Sequence, residues 1–424
     1  MPEGPCWHTA GVAAAMSSVD EIAPSAEVPL RRNRDFLLLW SGAGCTLIGA
    51  SAGQIAYPFL VLSYTRSAEL AGLVQFVAML PNLLVQLPAG ALVDRWNRRT
   101  LMIACDVGSI LATGSVTLAV LAGHVWLPQV MVVAFIEGSL AIPYQLAERA
   151  AVRHLVPSSQ LPAALTRNEA RWRAAGLLGR PIGGLLYGFA GWSAFLFISL
   201  THLVSLACLL LIRRNFEAER ARKRQPLIAG LVEGLVWTWQ QRFLRTVVGL
   251  IGATNVLFAG LSLTVIVIVQ HSGRSAAVAG LITAAGGLGG TFGALHGNWW
   301  QRRANLRTIT LGGMAVWCVL MPLISFVRNP FLLAAIFPAM SYVGGVMNVA
   351  IGVYQVRTTP DSMQGRASSV LMLIGIGAGS TGAPIAGFAL DAVGITITAL
   401  GIGGAICFLT LLGRFAIYRH APDM

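Results

Sequence analysis

The stretch "GALVDRWNRRTLMIACD", residues 90–106, sets one aspartate and three arginines between two apolar runs, and Asp106 follows six residues into the second run. A polar hinge of this kind makes sense where a chain leaves one membrane span and enters the next. A helix needs ~20 apolar residues to cross ~30 Å of hydrocarbon, and from Phe36 onward the chain repeats that unit. Twelve spans are predicted, near 36–64, 69–92, 100–122, 126–147, 171–190, 192–212, 246–270, 276–299, 308–327, 330–356, 367–390 and 393–416. In lipid the backbone must satisfy its own hydrogen bonds, as helices or as a closed barrel. Barrel strands alternate in polarity and these runs do not. The expected fold is an all-α membrane protein of twelve transmembrane helices in two pseudo-symmetric six-helix bundles.

Composition agrees with a bilayer rather than water as solvent. Of 424 residues, 55% are hydrophobic and 11% charged, too few charges for a soluble chain of this length. The net charge of +13 raises nucleic acid as a partner until the charges are placed. Alternate loops and tails hold 26 of the 30 basic residues, among them Arg31, Arg32, Arg34, Arg95, Arg98, Arg99, Arg302, Arg303 and Arg307. The opposite loops hold only Arg66, Arg274 and Arg328, and Arg180 lies inside a span. This asymmetry orients a membrane protein with its basic loops in the cytoplasm. It puts both termini there, and it removes the case for nucleic acid.

Residues 1–30 are acidic and rich in Ala and Pro, which reads as a disordered cytoplasmic tail with no cleavable signal; Met1 and Met16 both remain open as the start. Residues 31–212 form the expected N-terminal bundle and 246–419 the C-terminal one. Between them, 213–245 is a charged linker. Its second part, "LIAGLVEGLVWTWQQRFLR", follows Pro226 and spaces Leu227, Leu231 and Leu235 four apart ahead of Trp237 and Trp239. That pattern fits an amphipathic helix, either at the cytoplasmic interface or packed on protein. The six cysteines form no CxxC pair, so neither a disulfide framework nor a zinc site is expected.

The halves resemble one another. Pro157 and Pro360 are 203 residues apart, and Gly179-x-Pro181-Ile182-x-Gly184 matches Gly382-x-Pro384-Ile385-x-Gly387 at the same offset. Ser67-Ala68-x-x-Ala71-Gly72 matches Ser275-Ala276-x-x-Ala279-Gly280 at an offset of 208. Repeats of six plus six spans are a transporter architecture, with the substrate site at mid-membrane between them.

With twelve spans in place, the opening stretch resembles the loop between helices 2 and 3 of the major facilitator superfamily, a Gly-x-Leu-x-Asp-Arg-x-Gly-Arg-Arg pattern. It reads Gly90-Ala91-Leu92-Val93-Asp94-Arg95-Trp96-Asn97-Arg98-Arg99, with Asn97 where the pattern has Gly. Asn tolerates left-handed backbone better than most residues. The resemblance implies that Asp94 latches the halves on the cytoplasmic side, at the positive N-terminus of helix 11, with Arg366 as a second partner and Arg95, Arg98 and Arg99 around it. Asp106, about 9 Å inside helix 3, is placed as further support for the latch, within reach of Arg98 and Arg99. The alternative is that Asp94 caps a surface turn. "TPDSMQGRASS" (359–369), "LVPSSQLPAALTRNEA" (155–170) and "EGLVWTWQQRFLR" (233–245) are similar to loops of the bacterial macrolide-efflux and siderophore-export branch. That branch implies secondary active export of a drug-like or siderophore-like molecule.

Within the spans, "GLLGRPIGGLLYG" (176–188) spaces small residues so that helices approach closely. Gly179, Pro181, Gly183 and Gly184 are therefore helix-packing positions. Drug–proton antiporters carry a similar Gly-Pro-x-x-Gly-Gly stretch, and here Arg180 stands at its Pro position. An Arg at mid-bilayer costs ~2.5–3.5 kcal/mol unless paired or hydrated. Glu137 lies at comparable depth in helix 4. The two are expected to pair or to face one polar cavity, with Glu137 the candidate for proton coupling or a member of a permanent ion pair. Gln54, Asn82, Asn255, Tyr342 and Asn348 are the further cavity candidates by depth, and His202 reads as a hydrogen-bonded structural histidine in helix 6.

Gly377–Gly382 fits a dinucleotide fingerprint by letter but lies in an apolar span with no strand before it. The sole lysine, Lys223, belongs to no phosphate-binding loop, so transport must draw on an ion gradient or on the solute itself. The expectation is a bacterial inner-membrane exporter of a hydrophobic or amphipathic small molecule. It exchanges that molecule for protons, acts as a monomer, uses no cofactor or metal, and is not an enzyme. The rivals are an uptake symporter or lipid flippase on the same fold, and a non-transporting sensor or scaffold.

Overall fold

A computed structural model describes residues 29–213, 227–327, 329–360 and 363–420. Residues 1–28 of the predicted tail, 214–226 of the linker, 328, 361–362 and the last four residues lie outside this set. The described residues are helical throughout apart from short connections, and they contain no strand.

The first six spans are α1 (Arg34–Thr65), a broken span made of α2 (Ala68–Met79), α3 (Pro81–Leu84) and α4 (Gln86–Arg95), then α5 (Arg98–Leu121), α6 (Leu127–Leu155), α7 (Leu161–Phe189) and α8 (Gly191–Leu211). A linker helix, α9 (Leu227–Gln240), precedes the last six: α10 (Arg242–His271), α11 (Ala276–Gln301), α12 (Leu306–Leu323), α13 (Pro330–Thr358) and the two limbs of α14 (Gln364–His420). Among the described residues nine helices are long and apolar enough to cross a bilayer. The count reaches twelve once three cases are resolved. The second span is interrupted at Leu80 and Val85, ahead of Pro81 and Pro88, whose missing N–H groups break the helical ladder. The first turns of α7 carry Arg167, Glu169, Arg171 and Arg173, so its mean hydropathy falls short. α14 is two spans joined at Gly394, whose φ of 80° and ψ of 172° lie in a region that only glycine occupies readily.

Caps fix where the helices start. Asn33, Ser67, Asn97 and Asn305 each accept a backbone N–H three residues on, from Phe36, Leu70, Thr100 and Thr308. Asn97 is therefore not in the left-handed conformation that its glycine-like motif position suggests. Its φ of −61° and ψ of 119° are extended, because the position is needed as the cap of α5. Asn305, 208 residues later, does the same for α12, which adds a match to the internal repeat. Linker helix α9 packs against α14 and α10.

Within the first half, α1 lies against α7 and α8, and α5 against α6 and α8; within the second, α10 lies against α14 and α11 against α13. The halves meet along two seams, α7 with α11 and α2 with α14. The end bearing Arg95, Arg98, Arg99, Arg302 and Arg357 is here the basic end. One apolar core joins both halves at the opposite end, through Leu60, Phe195, Ile266 and Met340, and within the second half it continues to Ile309 and Ala350. At the basic end the cores are separate, one around Phe36, Met102 and Leu155 and another around Val247 and Ile351. The halves are thus joined far from the arginines and parted near them.

Candidate functional site

A cavity of about 500 Å³ lies between the halves, within the usual range for small-molecule sites. Its wall is largely apolar, from Ile55, Val74, Met79 and Ala383, with a few polar groups set into it. α1 contributes Gln54 and Tyr57, α3 Asn82, α6 Glu137, α7 Arg180, α10 Asn255 and Ser262, α11 Thr283 and α14 Ser380.

Glu137 and Arg180 both line this cavity, but they do not pair. The Tyr57 hydroxyl donates to Glu137 Oε2 at 2.6 Å, and the Tyr57 ring stands edge-on to Phe195 at 5.2 Å. Arg180 donates from Nε at 3.1 Å and from Nη2 at 2.9 Å, both to Gln54 Oε1. A carboxyl and a guanidinium thus face one space from separate partners, so each remains available to a bound molecule. Asn255 Nδ2 reaches the Gly375 carbonyl at 3.1 Å, crossing between α10 and α14. Asn82 Nδ2 turns back on Met79 O at 3.2 Å.

Tyr342 and Asn348 lie elsewhere. The Tyr342 hydroxyl accepts from Trp300 Nε1 at 3.0 Å and its ring lies 5.9 Å from His296; Asn348 is exposed. Depth in a span does not say which face of the helix a residue occupies. Asp106 is corrected for the same reason. It is fully buried, turned away from the arginines and into its own half. There His202 Nδ1 lies 2.9 Å from Oδ1, and Ser205 Oγ donates to Oδ2 at 2.6 Å. Arg99 donates to the Leu209 and Leu210 carbonyls at 3.1 and 2.9 Å, capping the end of α8. Arg95 is exposed and Arg98 partly so. The side chains of Asp94 and Arg366, on which the latch turns, lie outside the described residues.

The packing glycines act on two neighbours. A Cβ on Gly179 would come within 2.5 Å of the Ile48 carbonyl oxygen, and one on Gly183 would meet the backbone of Ala52, both in α1. Gly184 faces the other half, where a Cβ would run into the carbonyl of Ala276. Its repeat partner Gly387 does the same against Ala68, the repeat partner of Ala276. Pro181 lies in the same seam, against Gly280. The two seams are therefore one contact used twice, and they close the end away from the arginines.

Asp391, unremarked in the sequence, completes that closure. Its Oδ2 accepts from Ser67 Oγ at 2.7 Å and from Glu69 N at 3.0 Å, and its Oδ1 from Ala68 N at 3.0 Å. Tyr57 was also missed, since a tyrosine within an apolar run carries no signal of its own. Nearer the basic end Arg171 and Glu148 form a buried pair at 2.9 Å, which no sequence motif announces.

Comparison with known proteins agrees with this architecture. A bacterial homologue of the human lysosomal transporter Spinster, in an inward-facing and unoccupied conformation, superposes with a TM-score of 0.74 over 92% of this chain and 99% of its own, at 13% identity. The nucleoside transporter NupG gives 0.71 over 90% and 99%, at 12% identity. In sequence, the multidrug efflux pump Tap of Mycolicibacterium fortuitum is 27% identical over 402 residues, 90% of this chain and 94% of that one. Macrolide efflux protein A of Streptococcus pyogenes is 30% identical over 154 residues, 36% of this chain and 38% of that one. The family model for transmembrane secretion effectors matches residues 24–421, and the chain is a member of that family of major facilitator transporters.

Proposed function

We propose that this protein exports hydrophobic or amphipathic small molecules across a bacterial inner membrane, in exchange for protons and by alternating access. One observation carries the reading: a mostly apolar cavity between two repeat-related halves presents Glu137 and Arg180 from separate partners, and the seams close only one of its ends. Two-sided access then requires the halves to rock. The likeness to Tap over nearly its whole length favours drug-like cargo. The arginine-rich loops favour a cytoplasmic basic end with both termini on that side, and in this reading the state described is open inward. The apolar wall takes up the cargo's greasy surface, Arg180 and Gln54 its polar groups, and Glu137 the exchanged proton. In this scheme Asp94 latches the cytoplasmic side when the molecule opens outward.

The test is transport into inverted vesicles from cells lacking their own pumps. With an imposed pH gradient, acid inside, radiolabelled erythromycin should accumulate. Glu137→Gln should abolish the response to the gradient. Accumulation only under the opposite gradient would point to uptake, and an unaltered gradient response in Glu137→Gln would remove the proton role.

A further inference from the structure

Glu137 lines two cavities. Behind the central one, inside the first half, lies a second of about 40 Å³, room enough for water. Its walls come from α1, α5, α6 and α8. α5 supplies Cys105 and Asp106, α6 supplies Glu137, Tyr144 and Glu148, α8 supplies His202, and α1 supplies no titratable group. These groups are ordered. Glu137, Tyr144 and Glu148 lie seven and four residues apart along α6, which puts them on one face, with Glu148 roughly 16 Å closer to the basic end than Glu137. Beside them runs a hydrogen-bonded chain: Tyr144 hydroxyl to Ser205 Oγ at 2.8 Å, Ser205 to Asp106 at 2.6 Å, and Asp106 to His202 at 2.9 Å. At the basic end Glu148 meets Arg171 at 2.9 Å and Asn168 at 3.4 Å. There Arg171 Nε and Asn168 Oδ1 are buried without a hydrogen-bond partner, so hydrogen-bonding capacity remains at that end.

Antiport sets a problem that this arrangement solves. In the inward-open state the cargo must bind and the proton must leave, and cargo in the central cavity stands between Glu137 and the opening. We propose that the chamber behind Glu137 is a separate proton exit. The proton passes from the Glu137 carboxyl through the chamber to the Asp106–His202 pair and leaves past Glu148 at the basic end, while cargo occupies the cavity. A histidine suits the relay because its ring has two nitrogens, one able to take up a proton while the other gives one away. The step moves one proton and breaks no other bond: the hydrogen bonds carry it within the Tyr144–Ser205–Asp106–His202 chain, and the gaps from Glu137 to that chain and from the chain to Glu148 are crossed through the chamber, which is large enough for water. It rests on the proton-antiport reading.

The experiment uses the full chain in proteoliposomes, with radiolabelled erythromycin as cargo. Two modes are compared: net flux driven by a pH gradient, and erythromycin–erythromycin exchange at equal pH, which needs no net proton movement. His202→Gln and Asp106→Asn should lower gradient-driven flux at least tenfold and leave exchange within about twofold of the parent. Ser109→Val, which narrows the chamber and leaves every titratable group in place, should show the same split and guards against a folding defect in the other two. Gradient-driven flux within twofold of the parent in all three variants, with Glu137→Gln still uncoupled, overturns the exit and leaves antiport standing. Equal loss of both modes also overturns it, because it marks a structural role. Intact coupling in Glu137→Gln sinks the antiport reading itself.

Discussion

Asp391 and Ser67, 324 residues apart, join the two halves at the end remote from the arginines: Asp391 Oδ2 accepts the Ser67 hydroxyl at 2.7 Å, and the same carboxylate takes the first two N–H groups of α2. A carboxylate at a helix N-terminus is favoured by the exposed N–H groups and the helix dipole. Ser67 also caps α2 from its own side, accepting from Leu70 N at 3.1 Å. The clasp therefore forms only when the halves are shut at this end.

Asp391→Ala should shift the molecule toward opening there. The site is partly exposed, so the change is worth about 1 kcal/mol, roughly a fivefold shift in populations. Spin labels at Arg66 and Val393 on opposite sides of the seam would report it as growth of the longer-distance population. An unchanged distance distribution would show that Asp391 is not a clasp.

Gly184→Val and Gly387→Val should each disable closure, since their new side chains meet backbone rather than a movable side chain. Overpacking of this kind costs about 1–3 kcal/mol. Transport should fall about tenfold or more at normal membrane abundance, and by similar amounts for the two positions because they are repeat-equivalent. A strong effect at one position and none at the other would deny that the seams are equivalent.

Arg171→Leu should destabilise the protein and not merely slow it. It leaves Glu148 buried beside a lost cation, and losing one partner of a buried ion pair costs about 3–5 kcal/mol. Thermal unfolding in detergent, followed by intrinsic tryptophan fluorescence, should begin several degrees lower, and Glu148→Gln added to it should restore part of the loss. Unfolding at the parent temperature would show that the pair is dispensable.

If Asp94 acts as the latch, Asp94→Asn should lower transport several-fold with insertion unchanged, because a neutral side chain is held more weakly than a carboxylate at a helix N-terminus such as that of α14. The measurement is erythromycin efflux at matched expression, and parent-level efflux would count against the latch.

What could be read from the residues and what could not divide along a physical line. Span number and the repeat follow from one-dimensional quantities: apolar length and recurring Gly and Pro. Contacts around the helix axis do not. Asp106 lies at the depth estimated for it, yet helix rotation turns it to His202 instead of the arginines. Glu137 and Arg180 share a cavity, yet each chooses its own partner on α1: Tyr57, which hydropathy does not single out, and Gln54, whose depth marks it for the cavity but not as the partner of Arg180. Asn97 was read from its motif position, where the need to start α5 governs its conformation. Asp391 was invisible because its partners lie in the other half and belong to it only in one state.

The connection at Gly394 has a mechanical consequence. Two residues, Ala392 and Val393, separate Asp391 from the turn, and the turn is a single residue with no loop to take up slack. Pulling on the carboxylate therefore swings the limb that ends at His420 as well, as a stiff elbow moves both bones. Lengthening that elbow by a few glycines should decouple the two limbs without touching the cavity.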